Sequence, residues 1–389
     1  MRKIIVFLFL ISNLSCNENS IVVYEDQSII GSNSENLIKS ITPLKWFNGH
    51  KAAVTITYDI GYGLHESTYE VVKMVLDSSL CMDFEFVTAV YMDPKYKPII
   101  SSLKNSLISA GIHVFGHGHQ HIKHDLLSFD DAYKSFKLCY DYMYEWGLRP
   151  ISYAYPNASG RKMTTQMAVA AAGFISARGA TAKSNWEQFY ICPDSVISPT
   201  NWFFLPSIVV GAGSDENVNS NEEMIHYLKE DLNRSAWVTI LYHSIGIEGG
   251  WAYYPMEEFK KDIKYLAGND FWIGNMDCVS QYIYERNNLR IEYCDTENKN
   301  EICLKISDGL DNSKFYQLIT IEVELNVNID MIYVFPIING VYEYKVKDKK
   351  VRLNLLPNES EYILHLFAKD EIPETKICAP NKYSMMLPD

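Results

Sequence analysis

Five of the ten histidines in this 389-residue chain fall between positions 113 and 124: His113, His117, His119, His121 and His124. Imidazole is the commonest metal-ligating side chain and titrates nearest neutral pH, so a run this dense points to a metal site. His117 and His121 are four residues apart, with His119 midway. A helical turn would bring the outer pair to one face, and an extended segment would bring all three. Either conformation supplies two ligands. Zinc or a similar ion takes three protein ligands and keeps an open position for water, which it acidifies toward neutrality for attack on an acyl carbon. For His113 and His124 the plainer reading is a hydrogen-bonded histidine.

Two other residues are costly where they stand. Asp59 closes the strand-like run Thr55-Ile-Thr-Tyr-Asp59, and His243 follows Val238-Thr-Ile-Leu-Tyr242. A charge at the end of a buried strand needs a partner or a task. A general base is the natural task for Asp59, and proton donation to a leaving group for His243.

Strand-like runs at 52–57, 84–90, 112–115, 151–155, 174–177, 237–242 and 271–273 alternate with helical spacing at 66–79, 99–110, 128–146, 164–172, 222–232 and 256–267. Repeated strand–helix alternation predicts a parallel sheet. With no Gly-x-Gly-x-x-Gly turn after the first strand, a (β/α) barrel is favoured over an open dinucleotide-binding sheet. Barrel chemistry gathers just past the C-terminal ends of strands. Asp59, His117 to His121, Pro156-Asn157, Arg178 and His243 all fall at such positions and are expected to converge on one mouth.

From residue 289 the pattern changes to alternation at period two, at 302–306, 318–325, 331–335, 351–355 and 362–366, with turn signals at Asp308-Gly309, Asn339-Gly340 and Pro357-Asn358. This predicts a small antiparallel β-sandwich over 289–389, serving in packing or glycan contact. Two domains suit the length, since single cores stop growing at roughly 250–300 residues. The formal net charge of −13 excludes nucleic acid as a main partner, because phosphate binding depends on Lys and Arg.

Residues 1–16 join Arg2-Lys3, the apolar run Ile4 to Ile11 and a small-residue ending, the pattern of an export signal. Leu14-Ser15-Cys16 resembles a lipoprotein lipobox, with Asn13 where Leu is usual. This leaves lipid attachment at Cys16 and free secretion as alternatives, both extracytoplasmic, and Cys16 as the only route to a membrane. Residues 17–45 read as a polar tether and entry segment. The seven remaining cysteines are scattered, with no CxxC pair, and read mostly as buried thiols with one bridge, such as Cys294 to Cys303.

Four motifs in order resemble those of the polysaccharide deacetylases with a NodB-type domain, carbohydrate esterase family four. They are Thr57-Tyr58-Asp59-Ile60-Gly61, His117-x-x-x-His121, Tyr153-Ala-Tyr-Pro156-Asn157-Ala-Ser159 and Leu241-Tyr242-His243, within a domain over 46–288. The resemblance implies a deformed (β/α) barrel of the NodB type, followed by the all-β sandwich domain. The implied activity is removal of N- or O-linked acetyl groups from an extracellular or cell-wall polysaccharide, using a divalent metal: zinc first, cobalt or nickel after it. It implies Asp59 as base, His243 as acid, and His117 and His121 as metal ligands. The backbone N–H after Pro156 becomes the oxyanion donor, on the turn that carries Tyr155 and Asn157, and Leu241 lines the acetyl pocket.

Two positions depart from that pattern. Ile60 stands where the family has a metal-binding Asp, and Ala154 where its Arg holds the base; Arg178, after the next strand, is expected to reach Asp59 instead. The metal site is therefore weakened. One outcome is that His119, His124, Asp125 or Asp59 itself completes the shell. Another is that the metal is lost and the mouth binds sugar, as a catalytically impaired surface carbohydrate-binding protein. The third is a slow metal-free acyl transfer by Asp59 and His243, with only backbone donors for the oxyanion.

Overall fold

The computed structural model describes residues 29–31, 37–61, 63–296, 298–338 and 341–368. The expected export signal at 1–16 with Cys16, the stretches 17–28 and 32–36 of the expected tether, and Cys378 lie outside the described residues. No described helix is long and apolar enough to cross a membrane.

The described chain opens with β1 (Ile29–Gly31) and β2 (Ile38–Pro43), after which strands and helices alternate. The series runs β3 (Ala52–Asp59), α1 (Glu66–Asp77), β4 (Met82–Phe86), α2 (Thr88–Tyr91), α3 (Lys97–Ser102), α4 (Ile108–Ala110) and β5 (Ile112–Gly116). It continues with α5 (Phe129–Glu145), β6 (Ser152–Ala154), α6 (Met163–Ala172), β7 (Ser176–Arg178), β8 (Ile208–Val209), α7 (Asn221–Arg234) and β9 (Trp237–Tyr242). Then come β10 (Ser244–Ile245), β11 (Tyr253–Tyr254), α8 (Met256–Ala267), β12 (Phe271–Ile273) and α9 (Met276–Asn288). The strand expected over 84–90 stops at Phe86, because the amides of Thr88 and Ala89 turn away to donate to the carbonyls of Gly118 and His119 at 3.0 and 2.9 Å.

The central sheet is parallel throughout, in the order β7-β6-β5-β4-β3-β9-β8, with β12 also paired to β3. Parallel bridges from Arg178 to Leu205 and from Thr181 to Ile208 join β7 to the chain entering β8, so the sheet curls round and closes. This is a deformed (β/α) barrel.

Each strand sends alternate side chains to opposite faces. Val54, Ile56 and Tyr58 of β3, Phe84 and Phe86 of β4, and Val238 and Ile240 of β9 belong to the apolar layer beneath the helices. The intervening positions face the lumen and are polar to an unusual degree: Thr55, Thr57 and Asp59, then Asp83 and Glu85, then Ser152, Ser176 and Arg178. They satisfy one another across the barrel, as Ser152 Oγ to Ser176 Oγ at 2.9 Å, Ser176 Oγ to Ser280 Oγ at 3.0 Å, and Trp237 Nε1 to Thr55 Oγ1 at 3.0 Å. A buried polar lumen of this kind survives only with its hydrogen bonds made.

The C-terminal part contains β13 (Arg290–Asp295), β14 (Glu301–Ser307), β15 (Ile319–Leu325), β16 (Met331–Ile338), β17 (Val341–Lys345), β18 (Lys350–Leu355) and β19 (Asn358–Phe367). They form a six-stranded sheet, β1-β13-β14-β19-β16-β17, and a three-stranded one, β18-β15-β2. Ile302, Leu304 and Ile306 of one sheet and Ile321, Val323, Val351 and Leu353 of the other share one apolar cluster, which makes a β-sandwich. That cluster runs on into the barrel floor through Trp46, Trp237, Trp272 and Tyr282.

The expected tether over 17–45 is corrected at its end. β2 pairs antiparallel with β15, and Ile38 and Ile41 are buried in the sandwich core. Burying each contributes about 1.5–3 kcal/mol, enough to recruit a short segment from a polar neighbourhood. The six described cysteines are free thiols, and Cys294 stands directly opposite Cys303 across β13 and β14.

Candidate active site

The charged lumen positions lie at the carboxyl ends of the barrel strands. Asp59 is the last residue of β3, Glu85 the penultimate residue of β4, Arg178 the last of β7, and His117 and His243 directly follow β5 and β9. Asp59 Oδ2 lies 3.2 Å from His117 Nε2 and 3.6 Å from His243 Nε2. Its other oxygen accepts the Gly61 amide at 2.7 Å. A side chain at Gly61 would put Cβ 2.8 Å from that oxygen, so the turn after β3 depends on glycine to close on the carboxylate.

His117 Nδ1 faces Glu85 Oε2 at 3.4 Å and the Ala154 carbonyl at 3.1 Å. Arg178 donates from Nε to Glu85 Oε1 at 3.1 Å and from Nη2 to Oε2. The expected reach of Arg178 to Asp59 is therefore corrected: its guanidinium is taken by Glu85, which the sequence reading missed. A signal existed, because Asp83 and Glu85 alternate with Met82, Phe84 and Phe86, the same out-of-place carboxylates that singled out Asp59.

One oxygen of Asp59 and one nitrogen each of His117 and His121 lie within 4.8 Å of one another. These donors fit a divalent cation. The three supply the N/O set that zinc takes, and His117 Nε2 is buried without a well-directed hydrogen bond despite its short contact to Asp59. Glu85 stands behind the His117 ring as carboxylates stand behind metal-binding histidines, fixing its orientation. Asp59 itself would thus be the third ligand. Ile60 is buried in the apolar layer, and its carbonyl accepts the Tyr91 hydroxyl at 2.9 Å.

The other substitutes for Ile60 point elsewhere. The segment after β5 is neither helical nor a regular strand. Gly118 takes a left-handed φ of 89°, and His119 turns to Thr88 Oγ1 at 3.0 Å and stacks on Tyr142. His124 bonds Ser135 and stacks on Phe136. Asp125 accepts the amides of Gly160, Arg161 and Lys162 at 3.1–3.3 Å, so it anchors the loop after β6. His113 lies deeper in the lumen, 4.0 Å from Asp277.

On the third motif, Asn157 and Ala158 take left-handed φ values of 54° and 53° in a tight turn behind Pro156. The Asn157 amide group donates to the His121 carbonyl at 3.3 Å, tying this turn to the histidine segment. Tyr155 is buried and donates its hydroxyl to the Phe203 carbonyl at 2.9 Å, a structural role rather than the expected substrate contact. Leu241 is buried on the lumen side of β9.

Burial pushes the Asp59 carboxyl up, but His117, His243 and the Gly61 amide outweigh it and hold the group well below the usual carboxylate range. Burial likewise lowers His117, and here the Asp59 and Glu85 carboxylates win and raise it. Around His243 burial prevails and pushes the imidazole down to about 4. Burial and the neighbouring His117 lower His121.

No protein-family model matches the chain, and no curated protein does. Among solved structures it is similar to the Puue allantoinase, at 13% identity and TM-score 0.44 over 64% of this chain and 97% of that one. It is also similar to a family 4 carbohydrate esterase from Streptomyces lividans in complex with acetate, at 14% identity and TM-score 0.38 over 59% and 95% of the two chains. A third is the peptidoglycan deacetylase PdaC from Bacillus subtilis, at 12% identity and TM-score 0.38 over 59% and 90%.

Proposed function

We propose that this chain is a metal-dependent deacetylase of the NodB type that hydrolyses acetyl amides or esters on a polysaccharide outside the cytoplasm. The observation that carries the reading is the gathering of Asp59, His117 and His121 donors at the barrel mouth, with His243 on the same carboxylate oxygen. Asp59, His117 and His121 would hold the ion, with zinc first and cobalt or nickel after it. When bound there, such an ion supplies Lewis acidity toward the acetyl carbonyl and lowers the pKa of water.

The remaining chemistry falls to the chain's own groups. Asp59 is ionised, and Oδ2, the oxygen facing both imidazoles, would hold the ion, which would remove it as the free base. His243 is unprotonated at neutral pH and lies beside it. The His243 imidazole would therefore take the attacking water's proton and give it to the departing amine or alcohol, and the Asp59 charge, 3.6 Å from Nε2, would stabilise the imidazolium between those steps. The backbone N–H after Pro156 faces the oxyanion, and Leu241 bounds the acetyl methyl.

The alternative is a surface carbohydrate-binding protein without turnover, and Ile60 favours it, since an apolar side chain replaces one ligand of the resembled family. The arrangement of His243 and Asp59 favours catalysis, because binding sugar needs no such pair. Acetate release from acetylated glycans, measured with and without added zinc, separates the two. The export signal and Cys16 support placing the protein outside the cytoplasm, either secreted or lipid-anchored.

A further inference from the structure

Trp251 is 65% exposed, yet its ring meets the His243 imidazole at 86° with centroids 4.2 Å apart. The indole packs edge to face with the imidazole and leaves most of its surface open beside the proposed catalytic histidine. It sits on the Gly249-Gly250-Trp251-Ala252 loop between β10 and β11. That loop is rigidly held: Gly246 N donates to Tyr254 O at 2.9 Å, Gly250 N to Ile247 O at 3.1 Å and Ala212 N to Tyr253 O at 2.8 Å. Ala252 is buried with a left-handed φ of 50°, and its carbonyl lies against Gly211, where a Cβ would come within 2.0 Å. The loop thus buries Ala252 and presents the neighbouring indole outward on a backbone that is already hydrogen-bonded, which lowers the ordering cost for a ligand that uses it.

We propose that Trp251 is the stacking platform for a pyranose ring of an uncharged acetylated glycan, next to the ring whose acetyl group meets His243; this rests on the deacetylase reading. A pyranose offers a face of C–H groups, electropositive against the electron-rich face of an indole. The formal net charge of −13 disfavours a polyanionic chain such as a polyuronate. The platform takes the pyranose face, and the acidic surface favours neutral chains.

The test is calorimetric binding of a tetramer of N-acetylglucosamine, of acetylated xylotetraose and of a galacturonate tetramer to the full chain, to Trp251→Ala and to Trp251→Phe. At least one neutral tetramer is expected to bind, with affinity falling about tenfold in Trp251→Ala and most of it retained in Trp251→Phe. KM for acetate release should rise more than kcat falls, with the thermal midpoint unchanged. Neutral tetramers that bind Trp251→Ala as well as the parent, that bind neither protein, or that bind less tightly than the galacturonate, overturn the assignment. Acetate release with Trp251-independent binding overturns the platform and leaves the deacetylase reading standing. Trp251-dependent binding without acetate release does the reverse.

Discussion

Arg178 grips Glu85 with two guanidinium nitrogens, Nε to Oε1 at 3.1 Å and Nη2 to Oε2, and both side chains are closed to solvent. A bidentate pair in a buried lumen is strong in the sense that neither partner tolerates loss of the other. Arg178→Ala, which leaves the Glu85 charge uncompensated, is expected to cost about 3–5 kcal/mol of stability by urea denaturation. The double variant Glu85→Leu with Arg178→Leu should cost less than Arg178→Ala alone. Equal or greater loss in the double variant would show that the pair is not one unit.

Glu85 also stands behind His117, which gives a second consequence. Glu85→Gln keeps one acceptor for Arg178, at some cost in stability, and removes the charge that orients the His117 ring. Zinc affinity measured by calorimetry should fall about 10–100-fold, the usual effect of losing the group behind a ligand. Unchanged affinity would assign Glu85 to the lumen's structure alone.

Metal affinity should also depend on pH in a set direction. His117 is raised above the ordinary imidazole value by Asp59 and Glu85, so below that raised value an incoming ion must displace a proton from it. Affinity is expected to rise with pH until that proton is gone, by about tenfold per unit below the raised value. Binding heats in buffers of different ionisation enthalpy should report the released proton. An affinity that does not change over about two pH units around neutrality would contradict the His117 assignment.

Much of this was legible in the sequence, and the failures have physical causes. The strand–helix alternation predicted the barrel, and period-two alternation predicted the sandwich. Asp59, His117, His121 and His243 were marked by polar residues at the ends of strand-like runs, and these four do meet. Spacing alone could not separate His119 from its neighbours, because the left-handed Gly118 that turns it away is a conformation rather than a pattern. Arg178 was correctly placed at the mouth and given the wrong partner, since Glu85 competes for it from another strand. β2 was missed because six residues with only Ile38 and Ile41 buried carry too little pattern to stand out from a polar segment.

The junction between barrel and sandwich carries its own pH signature. Glu285 of α9 accepts the Gln317 amide with both oxygens, and burial, with Asp308 nearby, raises its carboxyl to about 9. A carboxyl raised on folding prefers its neutral form, so its contribution is present at low pH and lost as pH climbs from the ordinary carboxylate value toward about 9. Glu285→Gln should therefore raise the thermal midpoint at alkaline pH, by about 2–4 °C for each kcal/mol gained, and change it little in mild acid. A midpoint lowered equally at both would remove the titration argument.

Cys294 and Cys303 face each other in register on antiparallel strands, within the Cα separations that a disulfide spans. Protein recovered from an oxidising compartment is expected to carry this pair as a disulfide, detected as blocked alkylation of both thiols until reduction. Free alkylation of both before reduction would show that the pair stays open.

The central claim is that Asp59, His117 and His121 form a working metal site despite Ile60. Acetate release from an acetylated glycan should be measured on protein stripped with chelator and then reloaded with zinc, in the parent chain and in His117→Ala and His121→Ala. Activity is expected in the reloaded parent, with its loss on stripping and none in either variant at the same zinc concentration. Acetate release that survives stripping, or a reloaded parent that binds no zinc and releases no acetate, would contradict it.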